Sequence, residues 1–271
     1  AINGSDLTNS IRFYICSDLT GSHVYLAGPQ FESKVYATPY VWGGYNGRPA
    51  STNLMIHGNV GTGQSFTDSS PSKHTITANG NVTHSETQSK FSGGSIYFDG
   101  AGDYLSIPDS ADWSFGSGDF TIDAWIYLAN ISNYHVIAAQ DDNSGQLSWQ
   151  LRTNVTTGDL YFRYSTDGTA ESNVTKSSGI SINNWYHVAI CRYGSSGEGN
   201  TIGTLEFFVN GTSVGSSDIG GDTFHASTTA LTVGMRGDNT LPFEGYMDEV
   251  RITKGTALWR GNFTAPTRRN S

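Results

Sequence analysis

FTIDAWIYL, Phe120–Leu128, sets apolar Phe120, Ile122, Ala124 and Ile126 against Thr121, Asp123, Trp125 and Tyr127. A two-residue period places each set on one face of an extended strand. Segments of the same kind follow: SWQLRT (Ser148–Thr153), DLYFRYS (Asp159–Ser165), WYHVAICRY (Trp185–Tyr193), TLEFFVNGTSV (Thr204–Val214), LTVGMRG (Leu231–Gly237) and GYMDEVRIT (Gly245–Thr253). Each is short, rich in β-branched and aromatic residues, and bounded by Gly, Asn, Asp or Ser. No window sustains the apolar period of a helix, and one turn near Thr256–Trp259 is the sole helical candidate. VNGTSV (Val209–Val214) reads as a hairpin, because Asn-Gly suits the positive φ angles of a type I′ turn. DGAGDYL (Asp99–Leu105) reads as a second tight turn, with Asp99 and Asp103 as turn formers. Many short strands without intervening helices predict an all-β, two-sheet antiparallel jelly-roll sandwich.

Composition agrees. Only 14% of the 271 residues are charged, whereas 13 Phe, 14 Tyr and 6 Trp supply apolar core. That argues against a charge-rich disordered chain and against a coiled coil. The longest run free of polar residues and glycine, Ala124–Ala129, is far shorter than the ~18 residues of a membrane helix, so no membrane insertion is expected. Net charge is −9, and no Lys/Arg cluster exists beyond Arg268 and Arg269, so no nucleic-acid partner is expected.

A boundary falls near residue 50. Residues 1–50 carry strand-like IRFYIC, HVYLAG and KVYATPYVW, a short β-rich extension too small for its own sizeable core. It reads as a segment that packs on the main domain, 51–267, or docks to a partner; 268–271 reads as a tail. No leader is read at the start, where Ala1 is followed by Asn-Gly-Ser-Asp. Cys16 and Cys191 both lie among apolar neighbours. Two buried thiols and one long-range disulfide are both consistent with that pattern.

From about residue 52 the order of motifs resembles a laminin G-like domain of the concanavalin A-like lectin/glucanase superfamily. The resemblance rests on SFTDSSPSKHTITANG, SKFSGGSIYFDGAGDYLSIPDSADWSFGSGDFTIDAWIYL, NNWYHVAICRYG, LEFFVNGTSVGSS, LTVGMRGDN and PFEGYMDEVRITKGTALWRGNFTAPT. It spans about 52–267, in the flavour of phage and marine bacterial surface proteins. It implies a concave and a convex sheet, and members that bind glycans or proteins or serve structurally. The acid motif of the glucanase branch and the Gln-x-His, Tyr/Lys and Arg-x-Glu-x-Arg signatures of the lyase branch do not occur here. A non-enzymatic module is therefore expected.

Alternation assigns faces. With Phe120, Ile122, Ala124 and Ile126 inward, Trp125 points outward; in the other strands Gln150, Arg152, Tyr161, Arg163, His187 and Arg236 point outward too. If these strands share the concave sheet, the seven form one open carbohydrate-binding face. Aromatic rings stack on sugars, and three guanidiniums suit an acidic polysaccharide. The competing reading is a solvated structural face of cross-strand pairs. Asp248 shares parity with Val250 and Ile252, which read as core. An inward carboxylate needs hydrogen bonds or a metal. The resemblance suggests a structural Ca²⁺ held by Asp248, with Asp68 as the guessed partner; backbone N–H donors are the alternative.

The expected function is a carbohydrate-binding module on a virion or cell surface, with an extracellular or virion-surface location. Its partners would be a polysaccharide or host-surface glycan, and other virion or surface proteins through residues 1–50. A purely structural assembly protein is the alternative, and a polysaccharide-degrading enzyme comes third.

Overall fold

A computed structural model describes residues 52–194 and 203–270. The expected strands of residues 1–50, their docking role and Cys16 lie outside these residues. The described strands are Thr52–Ile56 (β1), Thr77–Asn79 (β2), Thr83–Ser85 (β3), Ser95–Asp99 (β4), Tyr104–Ile107 (β5), Phe120–Leu128 (β6), His135–Gln140 (β7), Trp149–Thr153 (β8), Leu160–Tyr164 (β9), Ser172–Lys176 (β10), Trp185–Tyr193 (β11), Thr204–Val209 (β12), Thr212–Asp218 (β13), Leu231–Val233 (β14) and Glu244–Lys254 (β15). Among the described residues there is no helix. The helical turn expected at Thr256–Trp259 does not form. There Leu258 N instead donates to Thr121 Oγ1, and Trp259 stacks on Phe263 at 3.8 Å.

The strands build two antiparallel sheets that pack as a jelly-roll sandwich. One has eight strands, ordered β13-β12-β11-β6-β15-β4-β3 with β1 also on β15; the other has seven, ordered β10-β9-β8-β7-β14-β5-β2. Phe120, Ile122, Ala124 and Ile126 enter the core between the sheets, as their alternation requires. They meet Trp149, Leu151, Leu160 and Phe162 from the opposing sheet. Phe115 stacks on Phe120 at 4.3 Å, and the Trp149 indole N–H donates to Trp113 O at 3.0 Å. Burying each such ring contributes about 1.5–3 kcal/mol.

The Asn-Gly turn forms as read. Val209 pairs with Thr212, and Asn210 and Gly211 have φ of 50° and 79°. A Cβ on Gly211 would stand 2.1 Å from Phe263 O, so the turn also admits the C-terminal segment. Asp99 and Asp103 are turn formers: Asp103 accepts from Asn81 N and Asp99 N, and Asp99 from Ala101 N. Cys191 is a free, buried thiol, pushed up to about 12 by burial.

Residues 255–270 form an extra layer on the outside of the eight-stranded sheet. Ala257, Trp259 and Phe263 pack on Ala189, Cys191 and Phe208 in a second small apolar cluster. Arg269 and Asn270, read as part of a tail, reach back to Gly94 O at 2.9 Å and to Glu249 at 2.7 Å.

Candidate functional site

The seven outward residues do not form one face. Trp125 on β6 and His187 on β11 belong to the eight-stranded sheet, whereas Gln150, Arg152, Tyr161 and Arg163 lie on β8 and β9 of the seven-stranded sheet. Alternation fixes which side of its own strand a residue occupies. Which sheet a strand joins is decided by long-range pairing, which local pattern does not encode. Arg236 is not on a strand: β14 ends at Val233, and Arg236 grips Asp238 through two bonds of 2.9 and 2.7 Å.

On the seven-stranded sheet, register brings the remaining four together. Gln150 pairs with Arg163, and Arg152 with Tyr161. Arg163 donates to Asp141 and, at 2.8 Å, to Glu171. Gln150 also donates to Asp141, at 3.4 Å, and Tyr161 OH bonds Glu171. Burial, with the Glu171 bond and charge, raises the Tyr161 phenol. The Arg236 turn adjoins this end of the sheet, since Gly237 N donates to Asp141 O at 2.9 Å. A 240 Å³ cleft beside it is lined by Asn143, Leu147, Arg163, Thr169 and Glu171.

This face is less open than alternation implied: Gln150 is fully buried, and Arg163 and Tyr161 are under 10% exposed. Two of the three expected guanidiniums, Arg163 and Arg236, are neutralised by carboxylates. Arg152 is different. Its guanidinium lies between the rings of Tyr134 and Tyr161, 4.0 Å from each centroid. No carboxylate pairs with it among the described residues, and its Nε and Nη1 have no acceptor. Tyr134, Asp141 and Glu171 were absent from the sequence reading because they sit on connecting segments, where no periodicity marks a face.

On the eight-stranded sheet, Trp125 and His187 are not solvent-facing either, at 4% and 1% exposure. His187 Nε2 meets Asp123 at 3.1 Å, and Arg251 Nε and Nη2 donate to the same carboxylate at 2.8 and 3.0 Å. Burial alone would raise Asp123, but the Arg251 guanidinium and the His187 hydrogen bond outweigh it and hold the carboxyl below the usual range. Trp259 and Phe263 close over His187, each ring 5.7 Å away.

Asp248 also departs from its expected direction. Asp248 pairs with Trp125, but Arg251 pairs with Asp123, so β15 holds one extra residue between them. Glu249, at φ 55°, marks this bulge. The bulge breaks parity: Val250 and Ile252 are core, while Asp248 lies on the Trp125 side of the sheet. Asp248 Oδ1 accepts from Gly58 N and Glu249 N, each at 2.9 Å, and Oδ2 lies 3.5 Å from Arg269. Burial pushes the carboxyl up to about 6, against the lowering effects of the Gly58 N–H and Arg269.

Asp68 does not join it. Its oxygens accept from Met55 N, Ser70 N, Ser70 Oγ and His74 N, at 2.8–3.0 Å. Four donor hydrogens point where a cation would sit, and Asp248 faces a guanidinium. This donor set does not fit Ca²⁺, which needs six or more oxygens free to coordinate. Among the described residues no group of three His, Cys, Asp or Glu side chains converges into a metal cage.

The fold is a concanavalin A-like β-sandwich. The chain belongs to the concanavalin A-like lectin/glucanase superfamily, whose laminin G model matches residues 99–258. Its fold is similar to the binding domain of Paraclostridial Mosquitocidal Protein 1, with 15% identity and a TM-score of 0.60 over 77% of this chain and 50% of that one. It is also similar to the receptor binding domain of botulinum neurotoxin D, at 13% identity and TM-score 0.58 over 78% and 50%. A third similar structure is the binding domain of botulinum neurotoxin DC in complex with SialylT, at 15% identity and TM-score 0.54 over 76% and 48%. The chain thus spans about half the length of these domains. No curated protein matches the sequence.

Proposed function

We propose that this protein is a non-catalytic recognition module that binds an acidic glycan on the outer face of its seven-stranded sheet. The observation that carries this reading is Arg152. It is a cation framed by two tyrosine rings, and among the described residues its Nε and Nη1 have no acceptor and no carboxylate pairs with it. A buried donor without a partner costs about 1–3 kcal/mol, which a ligand carboxylate would recover. Tyr134, the exposed one of the two, offers a ring for the apolar side of a sugar.

The acids beside Arg152 favour binding over cleavage. Asp141 and Glu171 are both held by the same Arg163 guanidinium, so neither stands free to protonate a leaving group. Membership of a lectin-containing superfamily supports the reading, as does a fold shared with toxin binding domains, one of them solved with SialylT. Such a module would act outside the cell, on a cell or virion surface.

The test is retention of the full chain on a polyuronate affinity gel. Arg152→Gln and Tyr134→Ala should elute at clearly lower salt than the native protein, with an unchanged melting temperature. Elution of both variants at the native salt concentration would reject this face as the binding surface.

A further inference from the structure

The opposite sheet carries a cleft of its own, 480 Å³ in volume, lined by Lys90, Phe91, Trp125, Trp185, Asn210 and Pro266 among others. Three features distinguish it from a gap between loops. The indole N–H groups of both Trp125 and Trp185 are buried without a hydrogen-bond acceptor. Buried indoles ordinarily find one, and Trp125 is only 4% exposed. Next, Lys90 Nζ stands 3.7 Å above the Trp125 ring, and no carboxylate pairs with it among the described residues. Burial lowers its amine below the usual lysine value. Finally, Asn210 spends its Oδ1 on His187 N at 3.0 Å, so what it offers a ligand is its amide N–H₂.

The two indoles, Lys90 and the Asn210 amide all present donors, one of them a cation; Thr264 and Thr267 add hydroxyls that can donate or accept, and among the described residues no acidic side chain lines the cleft. The walls are flat and apolar: Phe91 meets the Trp125 ring edge-on at 5.9 Å, with Trp185 and Pro266 beside them. A matching ligand has an anionic group for Lys90, acceptor oxygens for the indoles and amide, and an apolar face for the rings. A bare anion would leave the aromatic walls unused, and a neutral sugar would leave the ammonium unpaired. We propose that this cleft is a second carbohydrate site that takes a carboxylated sugar unit, on the sheet opposite Arg152 and independent of it. With a site on each sheet, the protein could bridge two acidic glycan chains.

Two of the six tryptophans, Trp125 and Trp185, line this cleft, whereas the rings that frame Arg152 are tyrosines, so a ligand-induced change in tryptophan emission of the full chain is followed for the cleft. Methyl β-D-glucuronide should change the emission saturably, while methyl β-D-glucoside and acetate should bind at least about tenfold more weakly. Lys90→Gln, which keeps the stem and removes the charge, should weaken glucuronide about tenfold. Lys176→Gln, an equal change in net charge on β10, should not. Trp185→Phe should lose part of the emission response, leaving the share of Trp125, while the protein keeps its melting temperature. Absence of a saturable response, native affinity in Lys90→Gln, or equal binding of acetate would each overturn the proposal. None of these outcomes bears on the gel retention assigned to Arg152, which is read from Arg152→Gln and Tyr134→Ala.

Discussion

Asp123→Asn tests how the outer face of the eight-stranded sheet is held. The native carboxylate is 1% exposed and accepts two hydrogen bonds from Arg251 and one from His187. Asparagine keeps the shape but removes the charge and turns one acceptor into an N–H₂ donor aimed at other donors. Arg251, 5% exposed, is left as a buried cation without its counterion. Removing one partner of a buried pair costs about 3–5 kcal/mol. For a domain of this size that corresponds to a fall of about 6–20 °C in melting temperature. Urea and thermal unfolding at pH 7, followed by circular dichroism, measure it. A second variant separates charge burial from packing: Asp123→Leu with Arg251→Met removes both charges and should recover at least half of the loss. The pH dependence has a defined sign. A carboxyl held below its unfolded value stabilises the fold above about pH 4, and that contribution fades as pH falls through the folded value. The native advantage over Asp123→Asn should therefore narrow in acid. A loss below about 1 kcal/mol, or a double variant no better than the single one, would refute the reasoning.

Asp248 carries the opposite sign. Its folded value of about 6 exceeds that of an unfolded aspartate, so the proton stabilises the fold below about pH 4 and the contribution is lost as pH rises through 6. From pH 4 to pH 7 the native protein should lose up to about 3 kcal/mol relative to Asp248→Asn; parallel urea-midpoint profiles would contradict this. EDTA should leave the melting temperature unchanged, since donors occupy both oxygens of Asp68 and Oδ1 of Asp248, and Asp248 Oδ2 faces the Arg269 guanidinium. A calcium site filled a hundredfold above its Kd would instead give a drop of about 2.7 kcal/mol on chelation, and such a drop would restore the metal.

The amino-acid sequence alone determined the β class, the inward set of β6, the Asn210-Gly211 hairpin and the Asp99–Asp103 turn. Each is a local matter. A two-residue period states which side chains share a face, and glycine or asparagine states where φ turns positive. Tertiary structure decided everything that depends on which strands become neighbours. It sent β6 and β11 to one sheet and β8 and β9 to the other, dividing one imagined groove into two faces. It placed the Glu249 bulge that turned Asp248 away from the core. It set Asp141 and Glu171 against Arg163, and laid Trp259 and Phe263 over His187. Those partners come from distant segments, 128 residues apart for Asp123 and Arg251 and 190 for Gly58 and Asp248. Local residue order carries no signal for such encounters, because burial and charge pairing are settled only when distant surfaces meet.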